Sequence, residues 1–168
     1  MAYRILVALD GFTPSEAVLA DIELIARSGA AVHLLRVVPP GVNATSAELR
    51  AGHAHALSYL AGLRERFPEM RGLDFIRTGD PADAVIQAAQ EFDIHLIALA
   101  TCLCAVPSEG FLGSTAQAVV RRAPVAVLLR GPSALPSRNP LPRILVPLDG
   151  SDDALSILAT VQKLALRV

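Results

Sequence analysis

The stretch RILVALDG, residues 4–11, is an apolar run of strand length that ends in an Asp-Gly turn. Further apolar runs of strand length follow it, and segments with helical periodicity separate them. These runs occupy residues 31–37, 73–78, 95–100 and 125–129. Such alternation is typical of parallel strands joined by crossover helices. We therefore predict an α/β domain with an open, twisted, five-stranded parallel sheet and helices on both faces, in a Rossmann-like arrangement.

The predicted helices carry recognisable start and stop signals. The quartet TPSE, residues 13–16, predicts a capping box with proline at the first helical position, and Gly29 is placed to end that helix in a left-handed conformation. The quartets DPAD, residues 80–83, and STAQ, residues 114–117, repeat this signal for the third and fourth helices. The second helix is expected over residues 44–67.

An internal repeat divides the chain. The stretch RILVPLDG, residues 143–150, matches residues 4–11 at seven of eight positions, and a helix-like segment follows each copy. Residues 131–142 contain four prolines and no periodicity, which predicts a semi-rigid linker. We therefore predict a domain over residues 1–130 and, over residues 143–168, an extra β-α unit that opens a second, shortened repeat.

Composition excludes several classes of protein. The 168 residues include 15 Lys and Arg against 16 Asp and Glu, a net charge of −1, so no nucleic-acid partner is expected. No apolar stretch has the length of a membrane span and the amino terminus lacks a signal-peptide pattern, so we expect no membrane association and a cytoplasmic location. Cys102 and Cys104 are too few for a disulfide framework or a zinc site, and no metal is expected.

The order of the elements and three motifs resemble the universal stress protein family. The motifs are the Leu-Asp-Gly turn after the first strand, the Gly-Asp-Pro triplet at residues 79–81 and the Gly-Ser pair at residues 113–114. The resemblance covers residues 3–130, and residues 143–168 look like the opening of a second copy, as in tandem members. It implies an adenine nucleotide alpha hydrolase-like fold and a nucleotide site whose adenine and ribose are bordered by Ala8, Asp10 and Val37.

The resemblance also locates a phosphate-binding loop, and this loop departs from the family pattern. Nucleotide-binding members carry glycine, two residues, glycine, nine residues, glycine and then serine or threonine. The corresponding residues of this chain are Ala100, Leu103, Gly113 and Ser114, followed by Thr115. Two of the three glycines are therefore replaced.

These replacements predict a weakened grip on polyphosphate. Glycine lets backbone amides approach phosphate oxygens and adopts positive φ without strain, and Leu103 does neither. Residues 101–113 contain one charged residue, Glu109, and no Arg or Lys. The helix start at Gly113 remains suited to one phosphate.

Two functions are compatible with these residues. The first is a self-associating stress-response module that has no cofactor and in which ATP binding is weak or lost. The second is an adenine-nucleotide binder, for ATP or AMP, with a remodelled loop and at most slow hydrolysis. Asp10 serves either as a nucleotide ligand or only as the turn into the first helix. No Ser-His-Asp order or paired carboxylates predict a catalytic residue, and His33 and His95 are expected to be hydrogen-bonded within the sheet.

A homodimer is the expected assembly. The last predicted strand begins at Val125 and ends at Leu129, is apolar on both faces and would otherwise leave a bare sheet edge. Family members pair this strand across a dimer or between tandem halves. Residues 143–168 need cover as well, so the resemblance predicts self-association through both regions, with any other protein partner unidentified.

Overall fold

Five parallel strands form one sheet in the computed structural model, which describes residues 3–39, 41, 45–101, 112–131 and 144–167. The strands are β1 (Arg4–Leu9), β2 (Ala31–Val38), β3 (Asp74–Thr78), β4 (Leu96–Ala100) and β5 (Ala126–Arg130). Their order across the sheet is β3-β2-β1-β4-β5. The predicted fold class is confirmed, and each strand boundary lies within one residue of its predicted position.

The helices connect these strands as crossovers. A 3₁₀ helix, Thr13–Val18, runs into α1 (Leu19–Ala26), and α2 (Ser46–Arg66), α3 (Pro81–Glu91), α4 (Ser114–Arg122) and α5 (Asp152–Ala165) follow. Within the described part of the chain, every helix is too short or too polar to traverse a lipid bilayer.

The sheet is buried between two helical layers because successive side chains of a strand point to opposite faces. Ile5 and Val7 of β1 pack in a cluster with side chains of α1 and α2. Leu6 of the same strand packs in a second cluster with side chains of α3 and α4. Both faces of the central strand are therefore dry, and polar ligands can approach it only at the strand ends.

Two predicted helix starts are wrong in detail. Residues 13–18 form a 3₁₀ helix without a side-chain cap. The Ser15 hydroxyl instead donates to the Phe12 carbonyl oxygen at 2.8 Å and accepts from the Asp10 amide at 3.3 Å. α4 begins after Gly113, whose φ of 73° is accessible to glycine, so its N-cap residue has no side chain to offer.

The predicted cap of α3 and the predicted glycine after α1 are both present. The Asp80 carboxylate caps α3 by accepting from the Asp83 amide at 2.9 Å, and Gly29 has the predicted left-handed conformation, with φ of 85°. At the start of α2, Thr45 and Glu48 form a capping box that the sequence reasoning missed. Each orphan amide satisfied in this way stabilises its helix by about 1 kcal/mol.

The C-terminal segment forms the predicted helix but not the predicted strand. Residues 144–150 lie in no strand, and Leu145 is 92% exposed. No described strand pairs with residues 144–150, so their backbone joins no ladder in the described part of the chain. α5 contacts the domain near its end, where Leu164 packs on the α1 side of the core and the Arg167 guanidinium lies 4.7 Å from the ring centroid of Tyr3.

The two Asp-Gly turns of the repeat share a hydrogen bond and a left-handed glycine. The Asp10 carboxylate accepts from the Phe12 amide at 2.8 Å, and the Asp149 carboxylate accepts from the Ser151 amide at 2.9 Å. Gly11 and Gly150 have φ of 83° and 85°. The similarity of residues 4–11 and 143–150 therefore extends to the turn, although only the first copy lies in the sheet.

Candidate functional site

A cavity of about 350 Å³ opens at the carboxyl ends of β1, β2 and β4. The strand order reverses direction between β1 and β4, and crevices at such switch points are where open α/β sheets bind ligands. All seven residues that the sequence predicts for a nucleotide site line this cavity. They are Ala8, Asp10, Val37, Ala100, Gly113, Ser114 and Thr115.

One end of the cavity is the start of α4. Gly113 holds a positive φ and Ser114 and Thr115 are exposed in the first helical turn. The first amides of a helix have no intrahelical acceptor, and the helix dipole adds positive potential there. This end can therefore hold an anion the size of one phosphate.

The opposite end is formed by the turn after β1 and the last residues of β2. Asp10 is exposed, and one of its carboxylate oxygens accepts from the Phe12 amide, so the carboxylate does shape the turn. The other oxygen has no hydrogen-bond donor among the described residues. Asp10 thus makes the turn and keeps an acceptor available to a ligand.

Apolar side chains form the walls between these ends. Leu35 and Leu99 come from the strands, and Val85 and Val119 come from the helices of the α3 and α4 layer. Phe12, which is 68% exposed, also borders the cavity. An apolar cavity with polar groups at its two ends suits a flat ring system that carries a phosphate.

Arg36 is a cavity residue that the sequence reasoning missed. Its Nη1 donates to the carbonyl oxygen of Val37 at 2.7 Å, and a Cβ built on Gly11 would lie 2.9 Å from its Nε. Arg36 forms no ion pair within the described residues and is the one Lys or Arg among those that line the cavity. The signal was a single arginine near the carboxyl end of a strand whose other residues, apart from His33, are apolar.

A second recess adjoins the start of α4 on its other side. Ser114 and Thr115 line it together with Asp80, Asp83 and Arg122. The Arg122 guanidinium contacts the Asp83 carboxylate at 2.7 Å. A phosphate chain that extended from α4 into this recess would meet two carboxylates and a cation that is already paired.

The histidines serve the fold. The Nδ1 atoms of His33 and His95 accept hydrogen bonds from the amides of Leu73 and Arg4, at 3.2 and 3.1 Å. Burial lowers the pKa of His33, and the nearby Arg64 guanidinium adds to this effect. Burial likewise lowers the pKa of His95. Both rings therefore act as neutral acceptors near neutral pH, as predicted for hydrogen-bonded sheet histidines.

Four residues that the sequence singles out have no described position in the structure. Leu103, Glu109, Cys102 and Cys104 fall outside the described residues. In the described part of the chain, no group of three or more His, Cys, Asp or Glu side chains is placed to hold a metal ion.

Solved structures with the same fold come from several kingdoms. The universal stress protein UspA from Lactobacillus plantarum has 23% identity and a TM-score of 0.62, covering 76% of this chain and 97% of that one. The family protein from Arabidopsis thaliana with AMP bound has 23% identity and a TM-score of 0.55, covering 77% and 91%. The protein from Archaeoglobus fulgidus in complex with dAMP has 18% identity and a TM-score of 0.56, covering 77% and 97%.

A family profile also matches most of the chain. No curated protein matches the chain. The profile described as the universal stress protein family, however, matches residues 1–129, which include the whole sheet except its last residue. This chain belongs to the universal stress protein family.

Proposed function

We propose that this chain binds a purine nucleoside monophosphate in the cavity above β1, β2 and β4. The observation that carries the proposal is the convergence of all seven predicted site residues on one cavity, which the first turn of α4 and the turn after β1 both line. Relatives of the same fold are described with AMP, dAMP and cAMP, which are all nucleoside monophosphates.

The size of the cavity supports a mononucleotide. About 350 Å³ is near the lower limit for small-molecule sites, which begin at about 300 Å³. Apolar side chains from the sheet and from α3 and α4 would enclose the base. The phosphate would accept hydrogen bonds from the amides and hydroxyls of Ser114 and Thr115.

A triphosphate is expected to bind no more tightly than a monophosphate. Leu103 and Ala100 replace glycines that the family pattern places at the phosphates. On the other side of Thr115, the carboxylates of Asp80 and Asp83 border the adjoining recess. Additional phosphates therefore gain few donors and face negative charge.

Calorimetric titration with AMP, ADP and ATP in the presence of Mg²⁺ tests this proposal. We expect AMP to bind, and ADP and ATP to bind no more tightly than AMP. Thr115→Asp places a carboxylate at the phosphate position and should weaken AMP binding at least about tenfold. The fold should persist, because an acidic residue in the first turn of a helix is favourable by about 0.3–1 kcal/mol. Thr115→Ser, which keeps the hydroxyl, is the matched control.

Two results would contradict the proposal. One is the absence of binding by any nucleotide to the folded chain. The other is an ATP affinity at least tenfold above that of AMP, which would mean that residues 100–115 hold the β- and γ-phosphates after all.

We also propose self-association, on a separate observation. Among the described strands, β5 pairs only with β4, and its residues Val127 to Leu129 are half-buried. α5 exposes Leu155, Ile157 and Leu158 by 42–43% each. A second copy that covers β5 and the 143–168 region would bury both apolar surfaces.

Light scattering after gel filtration tests self-association. We expect twice the chain mass of 17.7 kDa for the unmodified chain, and the chain mass for the double variant Val127→Lys, Leu158→Glu. Leu57→Glu is the control, because Leu57 is an apolar residue of α2 that is 58% exposed. A monomeric unmodified chain, or equal dissociation by Leu57→Glu, would contradict the proposed interface.

A further inference from the structure

We infer that Arg36 and Asp10 set the base preference of the site toward 6-oxopurine monophosphates, such as GMP and IMP, over AMP. The inference rests on the proposed function, because it takes the cavity to be a nucleotide site. It goes beyond that function by naming the chemistry of the base and the residues that read it.

The position of the base follows from the sheet. With phosphate at the start of α4, the ligand begins at the end of β4, and β1 separates β4 from β2. Neighbouring strands lie about 4.8 Å apart, so the end of β2 is about 10 Å from the phosphate position. A base linked through ribose to that phosphate therefore reaches Arg36 and Asp10, and the other walls that it passes are apolar.

Arg36 supplies hydrogen-bond donors to the cavity wall at the end of β2. A guanidinium carries five N–H groups and accepts no hydrogen bond. One of its nitrogens donates to Val37, and the remaining groups have no acceptor among the described residues. The side chain is half-buried and lies over Gly11, so the turn and the Val37 carbonyl hold it at the cavity wall.

Oxygen at position 6 of a purine suits these donors, and an amino group does not. Guanine and hypoxanthine present O6 and N7 as two adjacent acceptors, the pair that arginine reads with two parallel hydrogen bonds. Adenine presents an amino group in place of O6. That amino group cannot accept from the guanidinium, so only N7 of adenine remains as an acceptor for Arg36.

Asp10 supplies the complementary acceptor. Register places Leu9 of β1 opposite Arg36 of β2, and Asp10 follows Leu9 just beyond the end of β1, so both Asp10 and Arg36 line the cavity at this end of the sheet. One carboxylate oxygen accepts from Phe12, and the other has no donor within the described residues. Guanine and hypoxanthine both carry an N1–H donor next to O6, whereas N1 of adenine is an acceptor that a carboxylate repels.

Calorimetric titration of the full chain with GMP, IMP and AMP tests the inference. We expect GMP and IMP to bind about tenfold more tightly than AMP, the discrimination typical of one well-placed bidentate arginine contact. Arg36→Met keeps the length of the side chain without its donors and should reduce this ratio to within about threefold. Arg36→Lys keeps the charge without the planar fork and should also lose most of the preference.

The matched control is Arg50→Met, which removes an exposed arginine from α2 and should leave the ratio unchanged. Melting curves check that each variant is folded. AMP binding as tightly as GMP, or a preference that survives Arg36→Met, would overturn the inference and leave the proposed function standing. Failure of all three nucleotides to bind would overturn both.

Discussion

The guanidinium of Arg130, at the end of β5, contacts both carboxylate oxygens of Asp21 on α1, at 2.8 and 2.7 Å. The Arg130 side chain is 10% exposed, so the carboxylate neutralises a charge that is largely removed from water. The Thr101 amide also donates to the Arg130 carbonyl oxygen, at 2.8 Å. The end of the edge strand is thereby fastened to the rest of the domain.

Asp21→Ala should destabilise the fold by about 2–4 kcal/mol, since it removes the carboxylate that contacts a nearly buried guanidinium. The free energy of unfolding in urea measures this change. Glu91→Ala breaks the exposed pair with Arg77 and should cost about 0–1 kcal/mol. Equal losses from the two substitutions would mean that the Asp21 pair contributes no more than a surface contact.

Gly11 and Gly29 form a matched pair for testing the role of Arg36. Their φ values are 83° and 85°, so alanine at either position is strained by about 1–3 kcal/mol. Only at Gly11 would the new methyl group meet the Arg36 guanidinium, because no atom lies within 4 Å of a Cβ at Gly29. We expect similar losses of stability from Gly11→Ala and Gly29→Ala, but a reduced preference for GMP over AMP only from Gly11→Ala. A preference unchanged by Gly11→Ala would show that the guanidinium position is irrelevant to binding.

The stability of the fold should fall on acidification through the titration of His33. Burial lowers its pKa in the folded state below about 6.5, the usual value for an unfolded chain, so the unfolded state binds more protons below that pH. Stability is therefore present above about pH 6.5 and is lost as the pH falls, by at most about 1.4 kcal/mol per pH unit for one histidine.

Urea unfolding between pH 7.5 and 5.0 measures this loss. His33→Asn keeps an acceptor for the Leu73 amide without a titrating ring, so its stability should depend less on pH. The control is His55→Asn, an exposed position on α2, which should follow the unmodified chain. A pH dependence identical in all three proteins would exclude His33 as the cause.

Asp83→Asn should improve the binding of ADP and ATP by about threefold to tenfold. The substitution removes a carboxylate from the recess beside Thr115 and releases Arg122 from its ion pair, so a second phosphate would find a cation there. Glu91→Gln makes the same charge change at the far end of α3 and controls for net charge. Calorimetry gives the affinities, and equal effects of the two substitutions would assign the change to long-range charge alone.

The sheet could be predicted from sequence because strands that are buried on both faces are uninterrupted apolar runs. Ile5, Leu6 and Val7 are all fully buried, so no polar residue interrupts the run. The start of the first helix could not be predicted in the same way. Ser15 and Thr13 have side chains suited to capping, but the turn after β1 draws the Ser15 hydroxyl to Phe12 and Asp10, and tertiary geometry decides between these partners.

The residues of the candidate site also differ in whether the sequence reveals them. Asp10, Gly113 and Ser114 stand in motifs, so the sequence reveals them. Arg36 stands in no motif, and its position depends on Gly11, in the turn after β1, which leaves space for its guanidinium. Residues 144–148, expected as the strand of the extra β-α unit, pair with no described strand, and a pairing partner is something that these residues do not encode.

The agreement between the Asp-Gly turns at Asp10 and Asp149 bears on how such chains enlarge. The second turn forms although the residues before it stand in no described sheet, so the Asp-Gly pair and the amide of the next residue are sufficient for that bend. A duplicated copy of this segment can therefore form its Asp-Gly turn before it joins a sheet. For that copy to bind a ligand, adjoining strands and helices would have to be added, but the turn itself would not have to change.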